Sequence, residues 1–244
     1  MQLGTDQEGD EITMSIVLIT GGNKGLGRET ARRLIEMGHK VYIGCRDADA
    51  GEKAASELGA GFVLMDVTDR QSVKAAADML QLQEGYIDVL INNAGISGIF
   101  KKVEDIDAED MRKVFETNVF GIVTVTNAFI PLLRKSENPV IVNVSSGLGS
   151  FGTVTNPEKE ESKVNSLTYC PAKAAVSMLT LQYAKGLPEM RVNCADPGAT
   201  ATALNGFRGK QNVTEGTDAI VKLASISKDG PTGTFISREG QMPW

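Results

Sequence analysis

Short, nearly continuous apolar runs punctuate the chain, and stretches with helical spacing of apolar residues separate them. The runs are IVLIT (16–20), KVYIG (40–44), GFVLM (61–65), IDVLI (87–91), PVIVNVS (139–145), MRVNCA (190–195) and GTFIS (233–237). Strands buried on both faces read this way, apolar throughout rather than alternating. Helices are predicted over 25–37, 48–58, 69–83, 108–134, 168–186 and 214–228. In 108–134 the apolar residues run nearly all round, which predicts packing against the sheet and room for a second subunit. Strict alternation of strand and helix predicts a doubly wound α/β domain, a parallel sheet of about seven strands with helices on both faces. No repeat, low-complexity segment or linker divides it. Residues 14–244 therefore read as a single domain after a polar tail, 1–13.

In such sheets ligands bind at the carboxyl ends of the strands, where strand order reverses. The residues just after the runs are TGGNKGLG, CRD, DVTD, NNAG, SSGLGSFG and DPGATATALNG, nearly all rich in Gly, Asn, Asp, Ser or Thr. A purely structural domain has no need of this at one end of every strand. TGGNKGLG places glycines at 21, 25 and 27 between a strand and a helix. Glycine permits the tight turn and lets backbone N–H groups approach a pyrophosphate at a helix N-terminus; taken alone, an ordinary βα turn explains the loop equally well. At the end of the second strand, where an acid would bond the ribose 2′-OH and select NAD, Cys45 and Arg46 stand instead. Arg46 and Lys24 offer two cations to a 2′-phosphate, which favours NADP. Solvated loop charges, with Asp47 among them, are the plainer alternative.

Composition narrows the field. A hydrophobic content of 41% and a charged content of 23% are globular values, which argues against disorder. A net charge of −6 argues against nonspecific binding to nucleic acid or an anionic membrane. No apolar run approaches the ~18 residues that span a bilayer. The tail lacks the basic and apolar regions of a signal peptide, so a cytoplasmic location is expected. Cys45, Cys170 and Cys194 show no metal-ligand spacing, and a single histidine cannot build a multi-histidine site, so no metal is expected. That histidine, His39, follows a helix end, where capping the C-terminus is its expected role.

TGGNKGLG, NNAG (92–95), NVSS (143–146), YCPAK (169–173) and DPG (196–198) stand in order at strand ends. Together they resemble the short-chain dehydrogenase/reductase family in its one-domain, Rossmann-type form, over about residues 14–244. GGNKGLG, CRD and GPTGTF are most similar to its carbonyl-reductase-like members. The resemblance implies Asn118, Ser146, Tyr169 and Lys173 as the catalytic set. Tyr169 would give a proton to a carbonyl oxygen, Ser146 would hydrogen-bond that oxygen, and Lys173 would hold the nicotinamide ribose. Tyr169 and Lys173 are four apart and share a helix face, so the ammonium is expected to lower the phenol's pKa. Family register favours Ser146 over Ser145; neighbouring strand residues point to opposite faces, so only one of the two is expected to serve. Asn118, in ETNVFG, would sustain a water relay to Lys173; a helix-interior asparagine bonded to a backbone carbonyl is the alternative.

The same resemblance carries over the cofactor contacts. They are Gly21, Asn23, Lys24, Gly25, Leu26 and Gly27 of the glycine loop, with Arg46. Asp66 and Val67 would meet the adenine, although a cap or turn role suits Asp66 as well. Asn93, Ala94 and Gly95 would line the ribose and nicotinamide, beside Tyr169 and Lys173. Pro197, Gly198, Thr200 and Thr202 would embrace the carboxamide and phosphates. The loop ATATALNGFRGKQNVTEG is expected to order over the cofactor as a lid.

Two departures from the family matter. Pro171 is tolerated in a first helical turn, which places Tyr169 at or near a helix start. Between Ser146 and Tyr169 stand 22 residues, more than in most members. The polar segment TVTNPEKEESKVNS within them is expected to form a flap beside the site and the 168–186 helix. Insertions of this kind obstruct the helix contact through which family members dimerise, so a monomer is favoured over a homodimer. The substrate pocket is expected from residues 96–100, with Ile96 and Ser97, from 147–151, with Leu148 and Phe151, and from Leu204 and Phe207. Those side chains suggest an apolar or aromatic substrate. The implied activity is NADPH-dependent reduction of a ketone, aldehyde or quinone. An NAD-dependent alcohol dehydrogenase of the same family and a non-catalytic dinucleotide-binding regulator are the alternatives.

Overall fold

Eight strands form one sheet in the computed structural model, which describes residues 14–99 and 101–244. The polar tail and Phe100, assigned above to the pocket, lie outside the described residues. The strands are β1 (Ile16–Thr20), β2 (Lys40–Cys45), β3 (Gly61–Leu64), β4 (Val89–Asn92), β5 (Val140–Val144), β6 (Arg191–Ala195), β7 (Phe235–Ser237) and β8 (Gly240–Gln241). Their order is β3-β2-β1-β4-β5-β6-β7-β8, parallel throughout except for the antiparallel β7–β8 pair. The seven expected strands are all present. The eighth was not foreseen, because two residues after a tight turn are too few to leave an apolar pattern.

The helices are α1 (Gly25–Glu36), α2 (Ala48–Leu58), α3 (Arg70–Gln83), α4 (Ala108–Phe115), α5 (Gly121–Leu133), α6 (Phe151–Val154), α7 (Tyr169–Gly186), α8 (Val213–Gly216) and α9 (Asp218–Ala224). The helix expected over 214–228 is thus two short pieces that stop at Ala224. Successive strand residues face opposite ways, and the core divides accordingly. Val17, Ile19, Ile43 and Ile91 pack with Leu34 of α1, Ala54 of α2 and Ile220 of α9. Ile16, Leu18, Leu90 and Ile141 pack with Leu80 of α3 and with Val125 and Phe129 of α5. Both faces are covered, which is why the strands read as nearly continuous apolar runs.

Two expectations are corrected here. The run 108–134 is helical throughout but not one regular helix. A π-helical turn, Glu116–Phe120, separates α4 from α5. By length and mean hydropathy, Ala108–Leu133 is long and apolar enough to cross a membrane; half of its most apolar window is buried in this fold. His39 does not cap α1 with its side chain. Gly38, at φ +90°, reverses the chain, and the His39 backbone N–H closes the helix end by donating to Leu34 O at 3.0 Å. The imidazole is buried instead, its Nδ1 accepting from Ser15 N.

Beneath the carboxyl ends, buried amides tie the layers together. Asn92 Nδ2 donates to Asn143 Oδ1 at 2.8 Å and to Thr126 Oγ1 of α5, and Asn143 Nδ2 donates to Thr180 Oγ1 of α7. With no water to replace them, such bonds are costly to break. Phe129, where α5 meets the sheet, is among the largest fully buried side chains. Phe129→Ala is expected to cost about 3–5 kcal/mol. Chemical denaturation should show a lower midpoint at unchanged slope. A loss below about 1 kcal/mol would show that α5 is not closely packed there.

Candidate active site

Strand order reverses between β1 and β4, and a cleft of about 530 Å³ opens there. Its floor is welded by Thr20, the last residue of β1. The Thr20 hydroxyl accepts from Asn93 N and Ala94 N, both at 2.9 Å, and Asn93 Nδ2 donates back to Thr20 O and Gly21 O. The glycine loop follows. Gly21 and Gly25 adopt φ +65° and +55°, a region that side chains disfavour. A Cβ on Gly27 would collide with the Gly21 carbonyl and the Asn93 amide, so Gly27 serves packing and does not line the cleft. Gly25 differs, because a side chain there would fill the gap toward Thr202, 3.8 Å away.

The residues at this end of the cleft suit the pyrophosphate of a dinucleotide. Helix α1 begins after Lys24 with no side-chain cap and no acidic residue in its first turn. Its leading N–H groups therefore retain their donors and the positive end of the helix dipole for an anion. Asn23, Lys24 and Leu26 line the same end.

Farther along the cleft lie Arg46, Asp47, Asp66 and Val67, with Met65 and Thr68, which were not foreseen. Asp47 is engaged as the N-cap of α2, accepting from Ala50 N at 3.0 Å. Asp66 accepts from Thr68 N and Oγ1 in a turn, while Asp69 caps α3. Burial opposes the Asp66 charge, but those two bonds and the charge of Arg46 outweigh it and hold the carboxyl below its usual value. Lys24 and Arg46 are exposed and, among the described residues, in no salt bridge.

At the opposite end stand Asn93, Ala94, Gly95, Tyr169 and Lys173. Tyr169 opens α7, where Pro171 in the first turn placed it. Ser146 stands beside Tyr169, close enough to favour its phenolate. Ser146 Oγ also accepts from Leu148 N at 3.2 Å, which orients it at the start of a tight turn, Gly147–Gly149. Ser145 is turned into the core, bonded to Lys173 O and Ser177 Oγ, although its backbone reaches the cleft. Asn118 is buried in the π turn, and both its polar atoms are bonded to Ile96: Oδ1 accepts from Ile96 N and Nδ2 donates to Ile96 O. A π turn at a functional site is a recurring arrangement, and no periodicity in the sequence announced it.

The electrostatics differ from expectation at one point. Lys173 is buried, donates to Val144 O at 2.8 Å, and lies 5.6 Å from the Tyr169 ring centroid. Burial pushes its ammonium down to about 8. Burial likewise pushes the Tyr169 phenol above its ordinary value, aided by the charge of Asp196 and opposed by the nearby Ser146. In this arrangement the phenol is thus raised, not lowered by Lys173, whose ammonium is held by the Val144 carbonyl.

The remaining expected contacts divide. Pro197 and Thr202 line the cleft; Thr200 is buried and donates to Pro197 O, and Gly198 is an exposed turn residue at φ +64°. Ile96, Ser97 and Leu204 line it, joined by Thr117, Val144 and Ala203. Leu148 is half-buried outside the lining, and Phe151 and Phe207 are 71% and 72% exposed. The insertion folds as α6 and a 3-10 turn, Glu160–Lys163, packed on the Gly147–Gly149 turn. Phe120 and Met178, on the two helices of the family's dimer contact, remain exposed.

Comparison with known proteins agrees with this layout. Residues 15–213 match the short chain dehydrogenase family. Salutaridine reductase from Papaver bracteatum is 30% identical, over 91% of this chain and 94% of its own. (+)-Neomenthol dehydrogenase from Arabidopsis thaliana is also 30% identical, over 94% and 98%. Among solved structures, 3-ketoacyl-(acyl-carrier-protein) reductase from Brucella melitensis, complexed with NADH, superposes with a TM-score of 0.80 at 26% identity, covering 93% and 97%. The chain belongs to the short-chain dehydrogenase/reductase family. It is an oxidoreductase of carbonyl and alcohol groups, in a family that binds a nicotinamide dinucleotide.

The burial of Lys173 has a measurable signature. Its value is about 8 in the fold against 10.5 unperturbed, so between these pH values the unfolded chain binds more protons and stability rises with pH. Thermal melts across that window should show wild type gaining on Lys173→Met, by up to about 3 kcal/mol in all. A difference that stays flat would mean that the ammonium is not desolvated.

Proposed function

We propose that this chain is an NADPH-dependent carbonyl reductase acting on a ketone, aldehyde or quinone, with Tyr169 as proton donor. The observation that carries the reading is one cleft lined by Tyr169 and Lys173, with Ser146 beside Tyr169, and also lined by the exposed cations Lys24 and Arg46. The bound dinucleotide supplies the hydride. Ser146 accepts from Leu148 N, which leaves its hydroxyl hydrogen for the substrate oxygen. Tyr169 gives its proton to the same oxygen as charge develops there. Its raised value keeps the phenol protonated at neutral pH, ready to donate. Lys173 holds the ribose in this reading. Asn118, fixed by its two bonds to Ile96, sustains a water relay to Lys173 in this reading.

The choice of NADPH is supported by Lys24 and Arg46, and by the engagement of Asp47 as a helix cap, which removes the nearby acid from competition for a ribose hydroxyl. The NADH complex of the Brucella reductase and the dehydrogenase name of the Arabidopsis relative favour a second reading, NAD-dependent alcohol oxidation at the same site. The relatives named salutaridine reductase and neomenthol dehydrogenase support a small-molecule substrate. Ile96 and Leu204 give the pocket an apolar wall suited to an apolar or aromatic one. The working unit in this reading is a monomer, which light scattering can check.

Tyr169→Phe is expected to retain NADPH binding and to lose carbonyl reduction by roughly 10²–10⁴-fold. Full activity in that variant would mean that another group supplies the proton. Lys24→Ala combined with Arg46→Ala is expected to weaken NADPH about 10–100-fold more than NADH, as lost charge-assisted bonds require. Titration of both nucleotides checks this, and equal losses would favour the second reading.

A further inference from the structure

The segment after β8 crosses from the edge of the sheet to the turn that follows Ser146. Met242 N donates to Phe235 O of β7 at 2.8 Å, and the Trp244 ring packs on the fully buried Phe235, centroids 5.5 Å apart. From there two carbonyls reach α6. Pro243 O accepts from Ser150 Oγ at 2.8 Å, and Trp244 O accepts from Gly152 N at 3.0 Å. Ser150 is fully buried, and its Oγ also accepts from Thr153 N as the N-cap of α6. The contact leaves no slack: a Cβ on Gly152 would lie 2.7 Å from Pro243 Cβ.

Ser150 closes the same turn that Ser146 opens. Ser150 N donates to Gly147 O at 3.1 Å, Gly149 N donates to Ser146 O at 2.8 Å, and Leu148 N donates to Ser146 Oγ. The turn is also pressed against α7, where a Cβ on Gly149 would sit 2.7 Å from Ala174 N. It is thus gripped by a helix and by a segment that follows it by more than ninety residues.

We propose that Pro243 and Trp244 are positioning residues for carbonyl reduction: seated on Phe235, they hold Ser150 and Gly152, and through the turn they fix the Ser146 hydroxyl for the substrate oxygen. This rests on the reductase reading given above. A donor that meets developing charge works only if it is held in place beforehand. Small misplacements of a reacting group lower rates by large factors. Covering the sheet edge would need only the ring on Phe235, whereas the bonds to Ser150 and Gly152 carry the segment on to the turn. Lys24 and Arg46 follow other strands, β1 and β2, so release of the turn leaves their end of the cleft as it is.

Trp244 is the chain's only tryptophan, so its emission reports on the seat directly. The test compares wild type, Gly152→Ala, Trp244→Ala and Trp244→Phe, together with Ser146→Ala alone and combined with each alanine variant. Carbonyl reduction with NADPH and NADPH binding are measured for all. Alanine suits a helical position, so Gly152→Ala keeps α6 and displaces Pro243 by contact. It is expected to move the Trp244 emission to longer wavelength and to lower kcat about tenfold. NADPH Kd should stay within about threefold of wild type. Trp244→Ala should match that loss, and Trp244→Phe, which keeps a ring on Phe235, should recover most of the kcat. With Ser146→Ala in place, either alanine variant should cost less than about twofold further, because the group it acts through is gone. A merely structural contact would lower nucleotide binding along with kcat, and its loss would multiply with that of Ser146→Ala; either result overturns the proposal. Unchanged emission or wild-type kcat in Gly152→Ala overturns it too, as does a Trp244→Phe no better than Trp244→Ala. Should one alanine variant fail to fold, the other and its combination with Ser146→Ala decide. If wild type reduces no carbonyl compound, the reductase reading fails first and takes this one with it; failure in the variants alone leaves the reductase reading standing.

Discussion

A single hydroxyl group, that of Thr20, holds the two halves of the cleft together. It accepts backbone N–H groups from Asn93 and Ala94, and the Asn93 amide answers by binding the carbonyls of Thr20 and Gly21. β1 and β4 therefore end in register, with the glycine loop on one side and NNAG on the other. The loop can hold its left-handed turns only because its carbonyls are fixed from below. Once it is fixed, α1 starts with its first N–H groups facing the gap. Every distance along the cleft, from Arg46 to Tyr169, is measured from this junction.

The catalytic end rests on a different balance. Lys173 and Asp196 are both buried, with opposite charge, near the ends of neighbouring strands. Each is held by a backbone group more than by the other: Lys173 by the Val144 carbonyl, Asp196 by the N–H of Gly198. This keeps two ionisable groups close to the phenol without joining them in a salt bridge that would neutralise both. Strand ends suit such a role, since their last peptide groups no longer belong to the ladder and are free to bind side chains.

Much of this was legible in the sequence, for reasons that can be named. Strands buried on both faces leave unbroken apolar runs, so β1 to β7 were visible. Tyr169 and Lys173 were visible through the YCPAK motif and the family it resembles, helix spacing put them on one face, and Pro171 marked where that helix begins. Strand alternation said that only one of Ser145 and Ser146 would serve, the family register favoured Ser146, and the Ser145 hydroxyl is bonded within the core. What could not be read depends on contacts between distant segments. The grip of Asn118 on Ile96 needs a fold to bring them together. The ammonium of Lys173 was expected to serve Tyr169, but spacing on a helix says nothing of a carbonyl on a neighbouring strand. Phe151 and Phe207 are aromatic and near the site in sequence, yet largely exposed, because hydrophobicity alone does not say which way a loop residue faces.

The π turn at Glu116–Phe120 also explains why 108–134 seemed apolar all round. A π turn holds more residues than an α turn, so α4 and α5 present their buried stripes in different rotational phase. Projected on one helical wheel, the two stripes smear into a full circle. The wheel has to be redrawn at Glu116. The same offset bears on how sequences are matched across this region: a one-residue gap placed between 116 and 120 restores a regular helix on paper and carries Asn118 away from Ile96. Whether a related chain keeps this asparagine in place is therefore a matter of counting residues, not of finding an asparagine nearby.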